Sequence, residues 1–286
     1  MGESAAKAPA QIRIRIRPLS GALGAEVSGV DLAVLNDATF ADIREAFLAH
    51  LVLVFPEQRI TPAQQIAFTA RFGPVETHPL RTRGTVKGHP EVLVLENSKR
   101  RRGLRNDFWH SDISYAVEPP LGSALYALEV PEGCGDTMFC NMYAAHEELS
   151  DGMRQMLGRL TAMHTGERLI ERNKAAAVRN PALVEVSPEV EHPVVRTHPE
   201  TGRKALYVNP YYTSRFADMS GAESRPLLDF LAAQATRPEN VYRHRWRQGD
   251  LVLWDNRCTM HYAVYDYDEF QVRRMHRTTA AGDRPV

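Results

Sequence analysis

The chain has 286 residues, 35 basic and 35 acidic, so its net charge is zero with histidines neutral. That balance gives no global pull toward nucleic acid or an anionic membrane surface, and no apolar run approaches the roughly 20 residues of a spanning helix. The length suits one large domain or at most two, and the opening Met1-Gly2-Glu3-Ser4-Ala5 lacks a signal-peptide core, so a cytoplasmic protein is expected.

Residues 1–10 read as a flexible N-terminus, and a single domain is expected over 11–286. From Gln11 to Arg17, Ile12, Ile14 and Ile16 alternate with Arg13, Arg15 and Arg17, which predicts a strand with one apolar and one basic face. Asp37 to His50 reads as a helix, followed by the buried strand Leu51 to Phe55. Thr61-Pro62-Ala63-Gln64 is a capping box with proline at the first helical position, opening a helix toward Arg71. Val92 to Leu95 is a further strand. Ser98 to Arg105 is the densest charge run and reads as a solvated loop at a pocket mouth, where its cations would draw in anions.

Ile113 and Tyr115 extend an apolar-leaning strand after His110. Strands follow at Ser123–Val130 and Thr137–Met142, then a helix from Ala144 to about Leu160. The polar stretch around 165–191 lacks a period and reads as an insertion. Strands are predicted at Val194–Arg196, Ala205–Val208, Val241–Trp246, Asp250–Trp254 and Arg273–Ala280, with a helix around Ala222–Thr236. The pattern is mainly β with helical additions and suits a jelly-roll-like barrel. Cys134, Cys140 and Cys258 are three, so they cannot all pair, and no C-x-x-C suggests structural zinc; Cys134 and Cys140 flank Thr137 and read as small buried fillers rather than catalysts.

The chemistry is concentrated in two segments. Trp109-His110-Ser111-Asp112 offers an imidazole and a carboxylate two residues apart, which an extended chain points to one face. Trp254-Asp255-Asn256-Arg257-Cys258-Thr259-Met260-His261 follows a buried-strand run and supplies a second imidazole. Both segments are expected at strand ends, where loops carry function. Two histidines and one carboxylate on one face of an octahedral ion leave three positions open, the ligand set of oxygen-activating Fe(II). On the last strand, Arg273, Met275 and Arg277 face one way and Arg274, His276 and Thr278 the other. Two inward arginines need anionic partners, and a guanidinium fork fits a carboxylate.

With these residues the chain resembles the taurine dioxygenase family of Fe(II)/2-oxoglutarate-dependent oxygenases, which includes alkylsulfatases and phenoxyalkanoate dioxygenases. The likeness runs from about Gln11 to the end. It includes Asn106-Asp107-Phe108-Trp109-His110-Ser111-Asp112, Gly135-Asp136-Thr137, His192-Pro193-Val194-Val195-Arg196, Trp254-Asp255-Asn256-Arg257 leading to His261, and Arg273-Arg274-Met275-His276-Arg277.

The resemblance implies a double-stranded β-helix with His110, Asp112 and His261 as iron ligands, Thr137 and Arg273 on 2-oxoglutarate, and Arg277 on the cosubstrate or on the anionic head of the substrate. His78 and Asn106 fall where taurine enzymes contact substrate. Three residues after that histidine those enzymes carry a tyrosine, and here stands Arg81, a cation suited to a larger or doubly anionic substrate. Tyr115, Tyr207, Tyr211 and Tyr212 are candidates for the cavity wall.

The activity implied is hydroxylation of a small anionic sulfonate or alkyl sulfate, using O2 and stimulated by ascorbate. Its products would be succinate, CO2 and an aldehyde with sulfite or sulfate. Asp112, a carboxylate where a halogenase would open a halide position, favours hydroxylation. The family also implies a homo-oligomer, dimer or tetramer. Two readings from other classes remain: a zinc hydrolase built on the same three ligands, which leaves Arg273 and Arg277 without a cosubstrate, and a non-catalytic anion-binding barrel, which has no use for the triad.

Overall fold

The computed structural model describes residues 14–77, 84–98, 106–175, 189–268 and 270–286, without the side chains of 172–175. The N-terminal tail 1–10, His78, Arg81, the basic run 99–105 and residues 176–188 of the expected insertion lie outside them.

Two antiparallel strands open the chain, β1 (Arg15–Pro18) and β2 (Ala25–Ser28). Helix α1 (Asp37–His50) matches the sequence expectation at both ends: the Asn36 side chain accepts from the Thr39 N–H at its start, and Leu51 closes it in the left-handed conformation at φ 66°. Strand β3 (Val52–Phe55) follows, then helix α2 (Pro62–Ala70), where Thr61 and Gln64 form the predicted capping box. Next come β4 (Thr85–Val86), β5 (His89–Asn97), β6 (Gly122–Glu129) and β7 (Thr137–Asn141).

The single helix expected over Ala144–Leu160 is two helices, α3 (Met142–Glu147) and α4 (Asp151–Leu157). Ser150 divides them, because its side chain accepts from the Met153 N–H and starts a new helix.

Strand β8 (Thr161–His164) and helix α5 (Glu167–Ala175) precede β9 (Val190–Pro193), β10 (Val195–Thr197), β11 (Lys204–Leu206) and β12 (Thr213–Phe216). Helix α6 (Gly221–Ala235) leads to β13 (Val241–His244), β14 (Leu251–Asp255), β15 (Thr259–Ala263) and β16 (Arg273–Ala280). Strands β8 and β12 escape sequence reading because they are short, carry histidine, threonine and arginine, and show no period.

The largest sheet runs β1-β2-β3-β14-β6-β16-β5-β4, and a three-stranded sheet runs β13-β7-β15. Between them lies one core, in which Val52, Val54, Leu125, Trp254 and Met275 of the large sheet meet Phe139, Cys140 and Met260 of the small one. The other face of the large sheet carries Leu53, Phe55, Ala124 and Leu253, which pack on Ile43, Phe47 and Phe68 of α1 and α2. Central strands are thus buried on both sides, which is why they read as continuous apolar runs.

Two expectations change. Strand β1 is exposed along its length at the sheet edge, with Ile16 38% exposed, so of the expected apolar face only Ile14, just before the strand, packs against the core among the described residues; Gln11 to Arg13 lie outside them. The stretch from Ile113 to Tyr115 is a turn rather than a strand: Ile113 has φ 51° and its carbonyl accepts from the Ala116 N–H. Among the described residues no helix is long and apolar enough to cross a membrane.

Candidate metal centre and anion pocket

One backbone pairing assembles the site. The His110 N–H donates to the His261 carbonyl at 3.1 Å and the His261 N–H donates back at 2.8 Å. Residues directly opposite in an antiparallel pair present their side chains to the same face, so the imidazoles lie 4.2 Å apart, centroid to centroid. His261 therefore sits in the middle of β15, where a strand end was expected. The turn after His110 then brings in Asp112, whose Oδ1 is 3.8 Å from His110 Nε2 and 3.6 Å from His261 Nε2. All three side chains are buried, and one ligand atom from each lies within 4.8 Å of the others.

The donor set suits a divalent ion. His110 Nδ1 lies 2.9 Å from the Phe108 carbonyl and donates to it, which leaves the Nε2 lone pair facing its neighbours. Burial lowers the pKa of both histidines, that of His261 to about 3, so both imidazoles are neutral at pH 7. Burial alone would raise Asp112, but Arg277, His261, His110 and the Ser123 hydroxyl together hold it well below the usual carboxylate range. Ser111 turns away and donates to the Thr259 carbonyl at 2.7 Å, tying the turn to β15.

The arginines occupy the same inner face. Arg277 Nη2 lies 2.8 Å from Asp112 Oδ2, and its Nε has no partner. Arg273 stands two pleat repeats away on the same strand, its guanidinium 6.0 Å from the Trp246 ring, and its Nε is also unpartnered. Trp246 donates to Thr137 Oγ1 at 2.9 Å, so Thr137 and Arg273 flank one indole. Gly135 makes room there: a Cβ would stand 3.3 Å from Arg273 Cδ and Nε. A buried guanidinium with a free donor is costly alone and fits a carboxylate, as a 2-oxoglutarate site requires.

On the opposite side, Phe108 stacks on Tyr211 at 3.5 Å and lies 4.8 Å from His110, while Tyr212 is 6.0 Å from His110 and 4.9 Å from Tyr115. The Asn106 carbonyl accepts from the Ala263 N–H at 3.1 Å, placing Asn106 at the end of β15. Tyr207 instead packs with His164 and His192, away from this wall.

The chain matches the family described as "Taurine catabolism dioxygenase TauD, TfdA family" over residues 15–279. It belongs to this TauD/TfdA family of dioxygenases. It is 35% identical to an alkylsulfatase of Acinetobacter baylyi, covering 95% of this chain and 86% of that protein. It is also 35% identical to an (S)-phenoxypropionate/alpha-ketoglutarate-dioxygenase of Sphingobium herbicidovorans, covering 94% of this chain and 95% of that protein. Among solved structures, a putative alpha-ketoglutarate-dependent taurine dioxygenase from Burkholderia xenovorans is 37% identical with a TM-score of 0.82, covering 96% of this chain and 94% of that one. The TauD/TfdA fold is thereby the fold expected from the motifs.

A second group, His198, Asp255 and Cys258, is also buried and compact. Arg257 closes it: Nε and Nη2 hold the two Asp255 oxygens at 2.8 and 2.7 Å, and His198 Nε2 lies 3.1 Å from Oδ2. Ser123, buried in β6 and donating to Asp112 Oδ2 at 3.0 Å, escaped sequence reasoning. Its one trace in the sequence is a small polar residue inside an otherwise apolar strand.

Proposed function

We propose that this TauD/TfdA-family protein is an Fe(II)- and 2-oxoglutarate-dependent dioxygenase that hydroxylates a small anionic organic substrate, a sulfonate such as taurine or an alkyl sulfate. Succinate, CO2 and an aldehyde with sulfite or sulfate would be the products. The observation that carries this reading is the convergence of two neutral imidazoles and one ionised carboxylate within 4.8 Å, beside a buried arginine whose Nε has no partner.

His110 Nε2, Asp112 Oδ1 and His261 Nε2 would hold the ferrous ion. Bound there with 2-oxoglutarate, the metal supplies oxygen activation coupled to decarboxylation of the keto acid. Arg273 would hold the distal carboxylate of 2-oxoglutarate, with Thr137 oriented toward it by the Trp246 indole N–H. Arg277 keeps one unpartnered donor, Nε, for the head of an anionic substrate. Asn106, at the end of β15, and His78 and Arg81, which lie outside the described residues, are the further substrate contacts of this reading.

A phenoxyalkanoate or other carboxylate is the second reading of the substrate, favoured by the aromatic surface of Phe108, Tyr211 and Tyr212 beside His110. The deciding experiment measures succinate formed from 2-oxoglutarate under air with Fe(II) and ascorbate, across sulfonates, alkyl sulfates and phenoxy acids, beside a His110→Ala control. Substrate-stimulated turnover that the control abolishes is expected. Iron-loaded protein that binds no 2-oxoglutarate and makes no succinate would favour a non-catalytic anion-binding barrel.

A further inference from the structure

Asp112 offers its two oxygens to different partners. Oδ1 faces His110 and His261, while Oδ2 accepts from the Ser123 hydroxyl at 3.0 Å and pairs with Arg277 Nη2 at 2.8 Å. The Ser123 hydroxyl is itself fully used. It accepts from Arg277 Nη2 at 3.0 Å and from Asn256 Nδ2 at 3.4 Å, and Asn256 is held by the Trp254 indole N–H at 2.9 Å. A serine hydroxyl has one proton and two lone pairs. With both lone pairs taken, the proton has a single direction left, toward Oδ2.

The backbone fixes where this hydroxyl stands. Ser123 is fully buried in β6, paired with Trp254 of β14 on one side and Thr279 of β16 on the other. Gly122 beside it cannot gain a Cβ, which would stand 2.6 Å from the Trp254 carbonyl. Arg277 faces Leu125, so it is diagonal to Ser123 on the same face of the sheet.

We infer that Ser123 is a positioning residue that, together with Arg277, occupies Asp112 Oδ2 and so presents Oδ1 alone to the metal. A carboxylate held this way takes one coordination position. Released, it could take two and compete for a position the substrates need. The inference rests on the dioxygenase reading, in that the triad must bind a metal.

The test titrates metal-free wild type, Ser123→Ala and Ser123→Cys with Co(II) against a competing chelator and records the visible absorption of the bound ion. Wild type is expected to bind one equivalent. Ser123→Ala is expected to bind about tenfold or more weakly, the size of effect seen when a group holding a metal ligand is removed, with an altered Co(II) band. Ser123→Cys keeps the volume with a weaker donor and falls between. Far-ultraviolet circular dichroism establishes that each variant is folded, and if the alanine variant is not, the cysteine variant carries the test. Affinities within twofold of wild type and an unchanged band in a folded variant overturn the positioning role. Failure of wild type to bind Co(II) overturns the dioxygenase reading itself, and the inference with it.

Discussion

Arg277 Nη2 lies 2.8 Å from Asp112 Oδ2, so an arginine that the motif assigns to an incoming anion already holds a carboxylate of its own chain. Both side chains are buried, 8% and 4% exposed. The guanidinium is therefore divided: one nitrogen belongs to Asp112 and Ser123, and Nε has no partner.

Breaking that pair is expected to destabilise the metal-free protein more than the loaded one. Arg277→Ala leaves Asp112 as a buried charge with no cation, a loss of about 3–5 kcal/mol for a buried pair. A bound divalent ion supplies the missing positive charge and restores part of the loss. Urea unfolding with and without Mn(II) checks this. An equal loss in both conditions would mean that the arginine acts through packing alone.

Arg273→Ala should behave in the opposite way. Burial lowers the pKa of Arg273 and its Nε has no partner, so the folded apoprotein bears a cost that an anion would relieve. Removing it should leave apoprotein stability unchanged or raised, while the KM for 2-oxoglutarate rises roughly ten- to hundredfold, the loss of a charged hydrogen bond. Succinate formation against 2-oxoglutarate concentration, beside a thermal melt, reads both. A marked fall in the melting point without a change in KM would assign Arg273 to the core.

Acid should unfold the metal-free protein well before its carboxylates titrate. Burial lowers His164 and His261 from 6.5 to about 3, so both stay neutral in the folded state. Below pH 6.5 the unfolded chain binds protons that the folded chain refuses, and stability falls with pH across the window from 6.5 to about 3. At pH 5 each such histidine costs roughly 2 kcal/mol. Asp112 and Asp255, both held below the usual carboxylate range, add their loss from about pH 4 downward. A melting temperature that stays flat from pH 7 to pH 5 would contradict this.

Much of the site was readable because local chemistry and spacing agreed. Helix α1 follows from Asn36 and the apolar face of Ile43, Ala46 and Phe47, and the facing of Arg273, Met275 and Arg277 follows from strand alternation on β16. The convergence of His110 with His261 was inferred from ligand type, whereas its physical cause is one reciprocal backbone pair between distant segments, which no local pattern encodes. The turn at Ile113 was misread for a related reason. A β-branched residue at φ 51° violates its own preference, and it is tolerated where Ser114 is held by Asn209 at 2.9 Å and by His164 at 3.1 Å. Ser123 was invisible because its role depends on where Arg277 and Asn256 end.

The buried group around Asp255 should prove structural. Arg257 grips Asp255 with two parallel hydrogen bonds and reaches Glu200 at 2.7 Å, and burial pushes the Cys258 thiol well above its ordinary pKa. A neutral thiol and a carboxylate already bridged by a guanidinium are poor metal ligands. Asp255→Asn keeps the shape and removes the charge, leaving the 2%-exposed Arg257 with Glu200 alone. The expected loss is about 3–5 kcal/mol of stability, with the metal count still one per chain and the KM for 2-oxoglutarate unchanged in the protein that remains folded. Elemental analysis of both proteins decides the matter, since a wild type carrying two metal ions, reduced to one by Asp255→Asn, would make this cluster a second metal site.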